Sequence, residues 1–287
     1  MICNLCPRSC SAERTEEKSG GFCGLKNRIK VARIAPHMWE EPVISGENGS
    51  GAVFFSGCTL RCMFCQNYEI SEKRLGKYID VKTLADEFRK LENTGVHNIN
   101  LVSPTPYVEL IKAALDIYRP NIPIVYNSSG WEKAETIKSL RGYVDIYLPD
   151  FKYSDDKLAL EYSRAAGYVE TAKNAIREMI NQTGEIELKN GLMKKGVIIR
   201  HLVLPSHTKN SIGVLDIIKE NFPDTPVSLM GQYVPVHKAL ENGKLGRKIT
   251  AREYKKVLNH MLELGLEGFS QELSSASESF IPKWDYE

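Results

Sequence analysis

Cys58, Cys62 and Cys65 stand in Gly57-Cys58-Thr59-Leu60-Arg61-Cys62-Met63-Phe64-Cys65, directly after the apolar run 52–55. Three thiols at C-x3-C-x2-C spacing, in a loop leaving a strand, can hold an iron–sulfur cubane by three corners, where four cysteines would close it. The fourth iron is then left without a protein thiolate, and an open metal position is where chemistry can occur. A disulfide is a poorer reading, because it needs an oxidising compartment. The N-terminus carries Cys3, Cys6, Arg8 and Cys10 where a secretory signal would need a long apolar stretch. Structural zinc takes four ligands from paired knuckles, and no fourth cysteine or nearby histidine completes this loop.

The other four cysteines, Cys3, Cys6, Cys10 and Cys23, lie in the first 25 residues, and none follows residue 65. A chain using cysteine as core filler would scatter it. Four thiols make a complete set for a closed site. Gly24 after Cys23 suits a tight knuckle in which backbone N–H groups approach sulfur. Zinc bound by four thiolates, an accessory iron–sulfur cluster, and redox-active thiols all fit this pattern, and the sequence leaves the three open. A metal would stabilise a segment too short to have its own core.

The elements that must position these thiols follow from composition and periodicity. A chain of 287 residues can bury one domain of ordinary α/β barrel size plus a small extension. Net charge is +2, from 38 basic and 36 acidic residues, which gives no argument for a nucleic-acid or membrane-surface partner, and neither is expected. No apolar stretch reaches the length that spans a bilayer, so the reading is a soluble, cytoplasmic protein. Residues 1–50 read as a cysteine-rich extension and linker, in which 26–41 connects onward and Glu47-Asn48-Gly49-Ser50-Gly51 turns. Residues 51–287 read as the core domain. Short apolar runs predict strands over 52–56, 98–103, 122–127, 144–150, 197–204 and 227–233. Helical spacing predicts helices over 81–93, 107–118, 132–140, 155–166, 170–182, 211–221 and 251–264. A hairpin around Asn190-Gly191 is expected over 185–196.

Strands alternating with helices imply right-handed crossovers and a parallel sheet, either open and doubly wound or curved into a partial barrel. Gly46, Gly49 and Gly51 precede a strand rather than follow one, so a dinucleotide-binding loop is a poor reading. In β/α barrels, chemistry collects at the C-terminal ends of the strands. The unusual residues fall there: the cysteine loop after strand one, Ser103-Pro104-Thr105-Pro106 after strand two, Asn127-Ser128-Ser129-Gly130 after strand three, and Asp150-Phe151-Lys152 after strand four. Alone, each could be a helix start, a cap or a surface pair. Together they make one rim. His237, just past strand six, reads as a polar rim residue rather than a catalyst, and neither His201 nor His207 needs a catalytic role.

The cysteine triplet, with aromatic Phe64 before its last member, resembles the radical S-adenosylmethionine (SAM) superfamily. Beyond it, Cys3-Asn4-Leu5-Cys6-Pro7-Arg8, Phe22-Cys23-Gly24, Trp39-Glu40-Glu41-Pro42-Val43-Ile44-Ser45-Gly46, Phe54-Phe55-Ser56-Gly57-Cys58 and Cys65-Gln66-Asn67-Tyr68-Glu69-Ile70 carry the likeness. They resemble the pyruvate formate-lyase activating enzyme-like branch, and within it the PflX-type group. The resemblance implies a partial (β/α)6 barrel with a small N-terminal cysteine-rich metal-binding extension, a [4Fe-4S] cluster on Cys58, Cys62 and Cys65, and SAM chelating the fourth iron. It implies SAM contacts from Phe64, from Ser103, Pro104 and Thr105 in place of the usual Gly-Gly-Glu, from Asn127 and Ser129 in place of Asp-Thr-Asn-Gly, from Asp150 and Lys152, and from Arg200 on strand five. The implied activity is that of an oxidoreductase. Reductive cleavage of SAM would give a 5′-deoxyadenosyl radical that takes hydrogen from a protein or peptide, as in the glycyl-radical activases. A flavodoxin or ferredoxin would supply the electron. Modification of a small metabolite and a non-enzymatic iron–sulfur or zinc protein are the competing readings.

Overall fold

A computed structural model of the chain describes residues 2–271 and Trp284. The tail of the expected core domain, residues 272–283 and 285–287, therefore lies outside the described residues. Six parallel strands form the centre. Strand one, Ser50–Phe55, pairs with strand two, Ile99–Val102, which pairs with strand three, Ile124–Ser128, and that with strand four, Ile146–Pro149. Strand five comes in two pieces. Leu192–Val197 pairs with strand four through Gly196 and Val197, and Ile199–Leu202 pairs with strand six, Val227–Met230. A bridge between Asp150 and Arg200 keeps strands four and five together at the rim. Among the described residues no ladder joins strand one to strand six, so the wall curves without closing, and the architecture is the partial barrel.

Each strand residue points alternately into the barrel and out to the helices, and most are apolar on both faces, as parallel strands under a helical layer require. Outside, Val81–Asn93 buries Leu84, Ala85, Phe88 and Leu91, and its first turn is capped by Asp80, which accepts from the Thr83 amide at 2.7 Å. Among the described residues six further helices of at least five residues follow: Val108–Ile117, Ala134–Lys138, Asp156–Ser163, Tyr168–Thr183, Thr208–Asn221 and Ala251–Glu263. All seven lie within two or three residues of the bounds expected from periodicity. The hairpin of Glu187–Lys189 with Leu192–Val197 also forms. Its corner residues Asn190 and Gly191 have φ of 53° and 75°, as a two-residue turn with the twist of the flanking strands demands.

The connection expected over 26–41 is instead a nine-residue strand, Ile29–His37, antiparallel to strand one from Val31 to His37. It is joined at its start by Lys77–Ile79. Arg33 and Pro36 interrupt its apolar pattern, which is why periodicity missed it. The chain then turns inward through Trp39-Glu40-Glu41 into the short helix Pro42–Ser45. Ile44 on that helix packs inside the barrel against Val125, Ile146, Leu148 and Ile198. Burying it stabilises the fold by about 2–3 kcal/mol and plugs the lower interior. A short strand, Gly268–Ser270, pairs outside strand six and was likewise not expected.

Candidate functional site

The cysteine loop is fixed from both ends. Gly57 donates to the Ile70 carbonyl at 2.7 Å and has φ of 83°, while a Cβ there would stand 2.7 Å from Leu25. Met63 donates to the Tyr162 carbonyl at 2.9 Å. Every sulfur in the loop accepts a hydrogen bond. Leu60 N–H donates to Cys58 Sγ at 3.4 Å, Ser163 Oγ to Cys62 Sγ at 2.9 Å, and Ser71 Oγ to Cys65 Sγ at 3.4 Å. Burial pushes the Cys65 thiol up and the Cys62 thiol to about 12. Sulfurs supplied with donors but starved of water are suited to thiolates whose charge a metal takes up.

These thiols open onto a cavity of about 230 Å³ bordered by the C-terminal ends of strands one to six. Among the sequence-predicted residues, Phe64, Ser103, Asn127, Ser129, Asp150, Lys152 and Arg200 all line it with Cys58, Cys62 and Cys65. Ser103 sits at φ of 58°, a left-handed turn that ends strand two at the cavity wall. Gly130 has φ of 73°, and a Cβ there would fall 2.1 Å from the Asp150 carbonyl oxygen, so only glycine lets strand three lie this close to strand four.

Pro104 and Thr105 do not reach the cavity. They lead into the 3-10 turn Thr105–Tyr107 behind its wall, where the Thr105 hydroxyl donates to Glu132 at 2.7 Å. Glu132, which the sequence pattern placed only as the start of a helix, is wholly buried with one carboxylate oxygen unbonded, and burial raises its pKa to about 8. His201, His207 and His237 stay out of the cavity. His201 is buried between the Phe151 carbonyl and Ser211, its pKa lowered to about 4 by burial. His207 is held by Tyr162 and the Pro205 carbonyl. His237 stacks on Tyr68 at 4.5 Å and meets Glu72.

The charged floor has a member that sequence reasoning did not assign. Arg200 gives one nitrogen to each of three partners: Nε to Asp150 at 3.1 Å, Nη1 to Glu40 at 3.0 Å and Nη2 to Asn127. Glu40 also accepts from Asn100 at 2.7 Å and Asn127 at 3.3 Å. Asp150 in turn holds Lys152. Burial would raise the Asp150 carboxyl, but Lys152 and Arg200 overcome it and hold the group below its usual range. Burial likewise opposes the charge on Lys152, and Asp150 restores it. Glu41, beside Glu40, is raised by burial against the pull of Arg200 and leaves one oxygen unbonded. Arg200 is thus committed to protein partners, and the Lys152 ammonium is the cation better placed to meet a ligand carboxylate. The Glu40-Glu41 carboxylate pair ahead of Pro42 was visible in the sequence, but nothing local told that it would fold back onto strand five.

At the open side of the barrel the cavity is bordered by His37, Trp39 and Phe54 on one flank and Met230, Gln232 and Tyr233 on the other. Phe64 and Tyr233 approach across the mouth with ring centroids 6.3 Å apart. Trp39 is 59% exposed and its neighbour Met38 42%.

A sequence profile of the Radical SAM superfamily matches residues 52–213. An uncharacterized protein of Methanocaldococcus jannaschii is 31% identical over 267 residues, which cover 89% of this chain and 73% of that protein. In fold, the chain is similar to a radical SAM methyltransferase from Sphaerobacter thermophilus, with a TM-score of 0.54 and 14% identity over 83% of this chain and 71% of the other. It is also similar to SuiB of Streptococcus suis, solved bound to the precursor peptide SuiA, with a TM-score of 0.51 and 16% identity over 77% of this chain. The chain spans about half the length of SuiB, 48%.

Proposed function

The chain belongs to the radical SAM superfamily, and on that premise we propose that it is an oxidoreductase that abstracts hydrogen from a protein or peptide, in the manner of the glycyl-radical activases. Membership implies a [4Fe-4S] cluster and SAM, and the chain's residues fit both. Cys58, Cys62 and Cys65, each with a hydrogen-bond donor, would hold three irons. When bound, cluster and SAM supply a one-electron cleavage that yields methionine and a 5′-deoxyadenosyl radical. The protein's part is to bind, orient and keep water out. Lys152 would meet the SAM carboxylate. The left-handed Ser103 and the Asn127 to Gly130 turn offer backbone and hydroxyl contacts. Asp150, Glu40 and Asn127 lock Arg200 beneath them, and Leu60, Phe64 and Leu202 exclude solvent.

The observation that carries this reading is the convergence of the three thiols and the Asp150–Lys152–Arg200–Glu40 cluster on one cavity. A macromolecular substrate is supported by the laterally open barrel and by the exposed Trp39 and Met38 at its mouth, an apolar rim larger than a small metabolite needs. We further assign residues 1–50 as a metal-binding extension of the core 51–287, the electron to a flavodoxin- or ferredoxin-type donor, and the site of action to the reducing cytoplasm that unpaired thiols require.

Anaerobic reconstitution, reduction and addition of SAM should release 5′-deoxyadenosine from the intact chain, and Cys62→Ser should abolish it. Cluster-loaded protein that neither binds nor cleaves SAM would leave a non-catalytic iron–sulfur carrier as the reading. Deuterium transferred into 5′-deoxyadenosine from a labelled peptide would establish the substrate class, whereas transfer only from small metabolites would replace it.

A further inference from the structure

A basic surface lies behind the cysteine loop. Ile29 and Val31 are buried, and Lys30 between them faces the other way, opposite Tyr78 in the neighbouring strand. Lys26 and Arg28 turn to the same ring. Lys30 Nζ lies 5.0 Å from the Tyr78 centroid, Arg28 Cζ 5.4 Å and Lys26 Nζ 5.6 Å. Arg74 joins them. Gly24 has φ of 64°, and a Cβ there would stand 2.1 Å from Arg74 Nη1, so this guanidinium lies directly over the backbone next to Cys23. Arg61, the residue before Cys62, donates to the Phe22 carbonyl and leaves its Nε without an acceptor.

These five cations share one field. The charges of Arg74 and Lys26 reach Lys30, and that of Arg74 reaches Arg61. Burial, with those two neighbours, holds the Lys30 ammonium below its usual range. Among the described residues none of the five forms an ion pair. Two carboxylates stand close enough to act on the cluster, and both are engaged. Glu72 is held by Lys238 and by His237 at 3.2 Å, and Asp80 caps its helix. Elsewhere on the surface, cations sit beside acids, as in Lys18–Glu13, Arg89–Asp86 and Lys90–Glu87. Like charges gathered without such relief are costly, and an anionic partner removes the cost.

The position of the surface decides what that partner is. Neither the five cations nor Tyr78 lines the cavity of about 230 Å³. A molecule seated on them leaves the mouth at Trp39 and Tyr233 clear. A substrate must bring its C–H bond into the cavity, whereas an electron passes through packed protein atoms. The partner therefore needs proximity to the cysteine loop and no entry. We propose that the surface of Lys26, Arg28, Lys30, Arg61, Arg74 and Tyr78 docks the electron donor, a small one-electron carrier with an acidic face around its redox centre. The carrier is oxidised by one electron, the cluster held by Cys58, Cys62 and Cys65 is reduced by one, and no bond or proton is transferred. Charge attraction speeds the encounter, and the contact is of the small, transient kind. The inference rests on the radical SAM reading above.

The probe is a flavodoxin with acidic residues around its flavin, used with the full chain reconstituted anaerobically. Release of 5′-deoxyadenosine driven by reduced flavodoxin is one readout. Binding of oxidised flavodoxin, followed by its flavin fluorescence, is the other. Wild-type release should slow about tenfold or more as ionic strength rises from about 0.01 M to about 0.15 M, where the screening length shrinks from about 30 Å to about 8 Å. Lys26→Glu/Arg28→Glu should bind flavodoxin about tenfold more weakly and lose most of the salt dependence, with release under excess dithionite unchanged. Lys255→Glu/Lys256→Glu makes the same change in net charge on an exposed helix face and should behave as wild type. Should Lys26→Glu/Arg28→Glu fail to fold, Arg28→Gln at its exposed position should give a smaller loss in both readouts. Equal flavodoxin binding by wild type and the patch variants, or a rate indifferent to salt, overturns the proposal. So does tighter binding of a short single-stranded RNA to the same residues, which would make the surface a nucleic-acid site. If excess dithionite releases no 5′-deoxyadenosine from wild type, the radical SAM reading fails, and the binding readout decides the docking surface by itself.

Discussion

Glu40→Gln tests whether the charged floor of the cavity is one coupled unit. In the wild type two carboxylates, Glu40 and Asp150, face two cations, Lys152 and Arg200, and all four side chains are at least four-fifths buried. The substitution keeps shape and removes one charge, so Arg200 and Lys152 must share Asp150. Leaving a buried charge uncompensated costs about 3–5 kcal/mol, but Arg200 keeps Asp150 and Asn127, so the expected loss is about 2–3 kcal/mol. Glu41 modifies this number. Its carboxyl is raised by burial, and the neighbouring Glu40 charge adds to that. Without Glu40 its pKa falls, and ionised Glu41 then offers Arg200 a new partner. The deficit of the variant should therefore shrink as pH rises. The assay is urea unfolding at about pH 5.5 and about pH 8, run as a double-mutant cycle with Arg200→Met. A coupling energy of about 2 kcal/mol at the lower pH is expected for residues in direct contact. If the two substitutions add to within about 0.5 kcal/mol at both values, the floor is not a coupled unit and the account of Arg200 is wrong.

Other consequences concern groups buried against their charged state. His201, lowered to about 4 by burial, favours the folded chain above its unfolded pKa of about 6.5, and that stability is lost as pH falls from there towards 4. His201→Gln should flatten the acid limb of stability against pH by about 3 kcal/mol between those values; an unchanged limb would assign it to the carboxylates. Glu132 has the opposite sign. Its carboxyl, raised to about 8, contributes stability that is complete below about pH 4.5 and is lost as pH rises through 8. Glu132→Gln should therefore stabilise the protein by up to about 4 kcal/mol at alkaline pH, with little effect near pH 4.5, as thermal melts at both ends would report. Gly130→Ala adds a methyl 2.1 Å from the Asp150 carbonyl at a left-handed φ and should cost about 3 kcal/mol or more; a neutral result would mean strands three and four can separate there. Ser163→Ala removes the hydroxyl 2.9 Å from Cys62 and should shift the reduction potential of the reconstituted first cluster to more negative values in a redox titration.

What the sequence determined alone is what depends on short spacing along the chain. Three thiols within eight residues must share a loop, helical stripes such as Leu84, Phe88 and Leu91 report burial within one element, and Asn190-Gly191 sets its own turn. Because a parallel β/α arrangement brings strand ends to one rim, chain position alone sufficed to place even Asn127, Asp150 and Lys152 near the cysteines, whereas Arg200 was reached only through the family resemblance. Tertiary structure alone decided what each charge faces. Glu40 meets Arg200 across 160 positions, and Thr105 turns its back on the cavity to serve Glu132. It also made the segment 29–45 a strand beside strand one and a barrel plug, although Arg33 and Pro36 break its pattern. Periodicity records only which face of a segment is buried. Pairing of charges and close approach of backbones are set by atoms distant in the chain, and no local pattern encodes them.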